Sequence, residues 1–191
     1  MRYLTYIFPL VFLFFTACGG GSDNQNQAQS SADTQATKSQ SSDVRTINII
    51  GVDQMKYVVE DENQQGITTG AKVGNDGMLK LETISADPGD KIRIQLTTQS
   101  QLPASAMAHN FILLMLSADV DAFNSAAIKA KDNNYIPSDM TDQIIAHTNL
   151  AAGGETVEVT FTVPEKTGDY PFLCSFPGHY AAGMEGTLNV E

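Results

Sequence analysis

Short runs of β-forming residues, too brief for helices, decide what this chain can fold into. KIRIQLTT (Lys91 to Thr98) places Ile92, Ile94 and Leu96 on one face, the two-residue period of a strand with one buried side. TVEVTFTV (Thr156 to Val163) alternates likewise. RTINIIGV (Arg45 to Val52) and MKYVVED (Met55 to Asp61) are rich in β-branched and aromatic residues, and GTLNVE closes the chain. ADPGD (Ala86 to Asp90) and AAGGE (Ala151 to Glu155) punctuate the runs as turns. Strands that follow one another without regular helices between them predict an all-β sandwich. One segment departs: DVDAFNSAAIKAKD (Asp119 to Asp132) spaces Ala122, Phe123, Ala126, Ala127 and Ala130 as a helix does. With Asp in its first turn and Lys129 and Lys131 in its last, it predicts one short inserted helix. The glycine-rich GITTGAKVGNDGML (Gly66 to Leu79) reads as an extra hairpin or loop.

The sandwich should occupy residues 45–191, because what precedes it cannot build a core. Residues 1–17 combine Arg2, the apolar run YLTYIFPLVFLFF (Tyr3 to Phe15) and small residues at Thr16 and Ala17. That is a secretory signal peptide, too short for a good membrane span. Cys18 directly after the small residues resembles a bacterial lipobox, which implies cleavage before Cys18 and a lipid on its thiol; Phe15 departs from the aliphatic residue commoner there. Residues 18–44, dominated by Gly, Ser, Gln, Asn, Asp and Thr, read as a flexible tether. The expected location is the bacterial cell envelope or periplasm, with contact to the membrane only through the lipid.

Charge and cysteine count narrow the function. With 22 acidic against 11 basic residues, the net charge of −11 argues against nucleic acid as a partner and suits a cationic protein. An exported chain meets oxidising conditions, yet it holds only two cysteines. If Cys18 carries lipid, Cys174 has no partner within the chain, and metal ligation is one reason for such a thiol to exist. Cys174 lies in CSFPGHYAAGM (Cys174 to Met184), after the strand-like YPFL (Tyr170 to Leu173) and before the last strand. Pro177 and Gly178 turn the chain there, so Cys174, His179 and Met184 can fold around one point. Of three histidines, His109 opens the most apolar run, AMAHNFILLML (Ala106 to Leu116), and a core strand can end beside that loop. Two imidazoles, a thiolate and a thioether form the ligand set of a blue-copper electron-transfer site. A structural zinc site would make poor use of the thioether. A Cys–His nucleophile would need an orienting third group that is not evident, and copper storage would use the same ligands.

Residues 45–191 resemble the azurin group of cupredoxins, bacterial blue-copper electron carriers. GVDQMKY, MAHNFIL, YIPSDMTDQIIAHTNL, VTFTV and CSFPGHYAAGMEGTLNV carry the likeness. It implies a Greek-key sandwich and one copper ion that cycles between Cu(II) and Cu(I). The implied ligands are His109, Cys174 and His179, with Met184 axial and the backbone carbonyl of Ala108 a distant further contact, where azurins have glycine. Asn110 and Phe176 would support these ligands from behind. His147 matches a histidine that azurins keep away from the metal. The spacing of four residues between His179 and Met184, against three in azurins, is closer to the membrane-anchored auracyanins. The azurin disulfide and a further histidine near Thr98 are missing. On this likeness the protein is a carrier rather than an enzyme. Its expected partners are redox proteins such as c-type cytochromes or a terminal reductase or oxidase. They would meet an apolar patch of Met55, Leu102, Pro103, Met107, Phe176, Pro177, Tyr180 and Ala181 around the edge of His179.

Overall fold

The computed structural model describes residues 44–61 and 63–191. The expected signal peptide, Cys18 and the expected tether up to residue 43 lie outside the described residues. The strands run β1 (Arg45–Val52), β2 (Lys56–Val59), β3 (Ile67–Lys72), β4 (Leu79–Ala86), β5 (Lys91–Gln99), β6 (Ala108–His109) and β7 (Ile112–Leu114). After helix α1 (Val120–Ala127) come β8 (Ile144–His147), β9 (Ala151–Ala152), β10 (Thr156–Thr162), β11 (Gly168–Leu173) and β12 (Glu185–Val190).

One sheet runs β10-β5-β1-β2-β4-β12-β11-β7-β8, with β3 added beside β4 and a separate pair β6-β9. Its two end strands, β8 and β10, come into contact, so the sheet curls into a nearly closed sandwich. Two of its pairs are parallel, β1 with β5 and β4 with β12. A parallel pair cannot be joined by a tight turn, so these mark the Greek-key crossovers. Strand alternation supplies the core. Ile47 and Ile49 of β1 face Ile92, Ile94 and Leu96 of β5, all wholly buried, and each contributes about 1.5–3 kcal/mol relative to an exposed position. Tyr57, Phe111 and Phe172 fill the middle, with ring centroids 5.0–6.3 Å apart.

The Gly66 to Leu79 segment resolves as a hairpin: β3 pairs antiparallel with β4 through irregular register. Its far loop brings Met78 and Val73 over Val52 and Val58 on the outer face of the sheet. The helix is shorter than its sequence pattern. Asp119 caps it by accepting from the Ala122 N–H at 3.0 Å, but it ends at Ala127, and Lys129 lies beyond it while Lys131 opens a separate 3-10 turn. The buried Phe123 and Ala127 are the contacts that hold it, packing on Ile112, Leu114 and Leu173, and nothing beyond Ala127 is buried before Ile136.

Candidate metal centre

The apolar run at His109 is not one strand. It breaks at Asn110 and Phe111, between β6 and β7, where side chains replace the ladder. The Phe111 N–H donates to Thr148 Oγ1 at 3.0 Å, and the Thr148 N–H returns to the Phe111 carbonyl at 3.0 Å. Asn110 is turned towards the loop after β11. Its Nδ2 donates to Ser175 Oγ at 2.9 Å, while its Oδ1 accepts from the Ser175 N–H at 2.9 Å. The Tyr57 hydroxyl donates to the Asn110 carbonyl at 2.5 Å. All these groups are buried. Two segments 65 residues apart, one ending in His109 and the other starting with Cys174, are thereby locked edge to edge.

The loop between β11 and β12 closes on itself. The Cys174 N–H donates to the Met184 carbonyl at 3.1 Å, and the Met184 N–H donates to the His179 carbonyl at 2.9 Å. Three donor atoms then converge: His109, Cys174 and His179 present them within 4.8 Å of one another. His109 Nδ1 lies 3.1 Å from His179 Nδ1, which lies 3.4 Å from Cys174 Sγ. Met184 is fully buried and tied to both His179 and Cys174 by those backbone bonds. Ala108 is buried in β6, paired with Ala152. His147 ends β8 on the exposed surface, outside the cluster.

Burial sets the protonation of the three. It holds His109 down to about 3, with His179 adding to the effect, and His179 down to about 4. It pushes the Cys174 thiol up to about 12, against the backbone N–H groups of Asn110 and Phe176, which favour the thiolate. Both imidazoles are therefore neutral at pH 7, and the thiol keeps its proton unless a cation stands beside it. The other ring nitrogen, His109 Nε2, is buried without a hydrogen-bond partner. Two ring nitrogens and a sulfur, brought to 3.1 and 3.4 Å of one another, suit a metal that accepts both nitrogen and sulfur. The donor set fits copper. Gly51 makes room for the His109 ring: a Cβ there would stand 2.5 Å from His109 Cδ2.

Residues 67–191 match the copper binding proteins of the plastocyanin/azurin family. The chain belongs to that family. Azurin-1 of Alcaligenes xylosoxydans xylosoxydans is 36% identical over 121 residues, 61% of this chain and 92% of the relative. Azurin of Alcaligenes faecalis is 39% identical over 121 residues, again 61% of this chain and 93% of the relative. Auracyanin-B of Chloroflexus aurantiacus is 34% identical over 125 residues, 64% of this chain and 52% of that protein. Among solved structures, auracyanin A of the same bacterium, a "blue" copper protein, superposes with a TM-score of 0.58 at 28% identity, covering 78% of this chain and all of that one. This azurin-like cupredoxin is a blue-copper electron-transfer protein, and copper is its cofactor.

Exposure varies across the expected contact patch. Met107 and Phe176 are both only 7% exposed. Phe176 is spent on interior contacts, its ring 4.8 Å from that of His179 and 5.3 Å from that of Tyr135. His179 itself is 1% exposed, so its edge lies under cover. Leu102, 46% exposed, Pro103 and Ala181 do face solvent, while Met55, Pro177 and Tyr180 are half-buried. Tyr180 packs towards α1 and donates its hydroxyl to Asp121 Oδ1 at 3.0 Å. The sequence reading missed Ser175, Thr148, Tyr57 and Lys56. Only Ser175 left a signal, as a lone hydroxyl between Cys174 and Phe176 in an otherwise apolar stretch.

Proposed function

We propose that His109, Cys174 and His179 bind a single copper ion, with the Met184 thioether and the Ala108 carbonyl as weaker contacts, and that this protein carries electrons between redox proteins of the bacterial cell envelope. The convergence of three buried donor atoms, two neutral nitrogens and one sulfur, carries the reading. Copper, when bound, supplies a one-electron couple between Cu(II) and Cu(I). The chain's own part is to hold the ligands still: Asn110 ties the His109 segment to the Cys174 loop, and Phe176 packs on the His179 ring. A thiol pushed up to about 12 is a poor nucleophile at neutral pH, which favours a carrier over a Cys–His enzyme.

A partner touches the cover of the site, where Pro177, the exposed Gly178 and the exposed Ala181 flank the buried His179. The net charge of −11 favours a basic partner, such as a c-type cytochrome or a terminal reductase or oxidase, and such encounters use small interfaces. Titrating the metal-free protein with Cu(II) tests the centre. An intense blue colour that saturates at one equivalent is expected, and a pale or colourless product would sink the assignment.

Cys18 completes the proposal as the lipid-bearing residue, with residues 18–44 as the tether. Among the described residues no helix is long and apolar enough to cross a membrane. Cys18→Ala should move the protein from the membrane fraction to the soluble fraction of cells expressing it. An unchanged distribution between fractions would remove the anchor.

A further inference from the structure

The segment that joins His179 to Met184 is a hydrogen-bonded turn, closed in the way that helices end. The Ala182 N–H donates to the Gly178 carbonyl at 3.0 Å. The Gly183 N–H reaches the Tyr180 carbonyl at 2.7 Å and the Met184 N–H the His179 carbonyl at 2.9 Å. With Gly183 in the left-handed region at φ 85°, these nested bonds form a Schellman motif. In that motif the residue after the glycine packs against the residue five before it, usually as an apolar pair. Here those two positions are Met184 and His179. The fourth residue between them is thus what the motif requires.

Such a turn leaves carbonyls without partners inside it, and their oxygens carry partial negative charge. Lys56 answers both. It is the first residue of β2, placed there by a turn in which the Met55 N–H donates to the Val52 carbonyl at 2.9 Å and Met55 adopts φ 54°. Its half-buried ammonium donates to the Ala182 carbonyl, and it lies 3.4 Å from the Met55 carbonyl. The side chain also runs alongside Gly183.

We propose that Lys56 is a positioning residue of the metal centre: its ammonium caps the turn that sets Met184 against His179, and its fixed charge favours the reduced state. The inference rests on the ligand assignment above. Oxidation adds a positive charge to the centre, and a cation held on the ligand loop opposes that addition. Because the ammonium is half-buried and bonded, salt screens it less than a free surface lysine. No pattern in the sequence marks Lys56, since strand register and a tertiary contact 126 residues away create the role.

Lys56→Met, Lys56→Gln and Lys56→Arg, compared with the parent protein, test it with two readouts. In the metal-free proteins, hydrogen exchange at the Met184 amide should quicken about tenfold in Lys56→Met, as expected when a charge-assisted bond is lost from a locally opening turn, and stay near the parent value in Lys56→Arg. In the copper-loaded proteins, the oxidised-to-reduced ratio at a fixed mediator poise should rise at least about threefold in Lys56→Met and Lys56→Gln, with Lys56→Arg close to the parent. If Lys56→Met fails to fold, Lys56→Gln carries both measurements. An exchange rate or a ratio within twofold of the parent in the neutral variants overturns the proposal. A parent protein that never turns blue overturns the ligand assignment instead, which keeps the two failures apart.

Discussion

Cys174→Ala is expected to give a folded protein that no longer turns blue with Cu(II). The two halves of that expectation come from different physics. The thiol is fully buried in the main core beside Phe172, Phe176 and Met184, where it packs as a small apolar group. Its loss removes about one methylene's worth of burial and leaves a small void, together about 1 kcal/mol. The Cys174 N–H keeps its bond to the Met184 carbonyl, so the loop has no new reason to open. The metal-free variant should therefore melt within a few degrees of the parent. The colour is another matter, because Cys174 is the one free cysteine among the described residues, and no other described residue supplies a thiolate. Absorption spectra and melting curves on the same samples separate the outcomes. A blue variant would mean that sulfur elsewhere holds the metal, and an unfolded one would mean that the thiol is chiefly structural.

The difference between what was legible and what was not follows from which interactions are local. Strands β5 and β10 announced themselves because each alternates against one core, and β1 through its β-branched residues. Strand β8 did not: IIAH is four residues long with a break in register against β7, and no alternation shows in so short a run. The pair β6-β9, two residues on each side, is set by tertiary packing rather than propensity. The helix looked longer than it is because Ala130, Lys129 and Lys131 have helical spacing, while burial stops at Ala127. At the site, Cys174, His179 and Met184 were readable from a single loop, since chemistry and sequence distance agree there. His109 needed the topology to bring it alongside. At Phe176 and Met107 the sequence alone left burial open, because an apolar residue near a binding loop reads the same whether it faces solvent or the interior; both are buried.

Asn110→Leu should cost the metal-free protein about 2–4 kcal/mol and the copper-loaded protein more. Leucine fills nearly the same space but leaves the Ser175 N–H and hydroxyl buried without the partners that Asn110 gave them at 2.9 Å each. The Tyr57 hydroxyl keeps its acceptor, because it bonds to the Asn110 backbone. The loss thus belongs to the side chain. Ser175→Ala removes only the hydroxyl, so the double variant should recover about 1–2 kcal/mol relative to the sum of the single changes. Copper adds a second measure. The Asn110 side chain is what joins the His109 segment to the Cys174 loop, and the Asn110 N–H also favours the thiolate. Ligands that drift apart hold metal less well, and the gap between loaded and metal-free stability reports metal affinity directly. Urea midpoints with and without one equivalent of copper should therefore lie closer together in Asn110→Leu than in the parent. Equal gaps would make the Asn110–Ser175 pair a structural clamp that the metal does not feel.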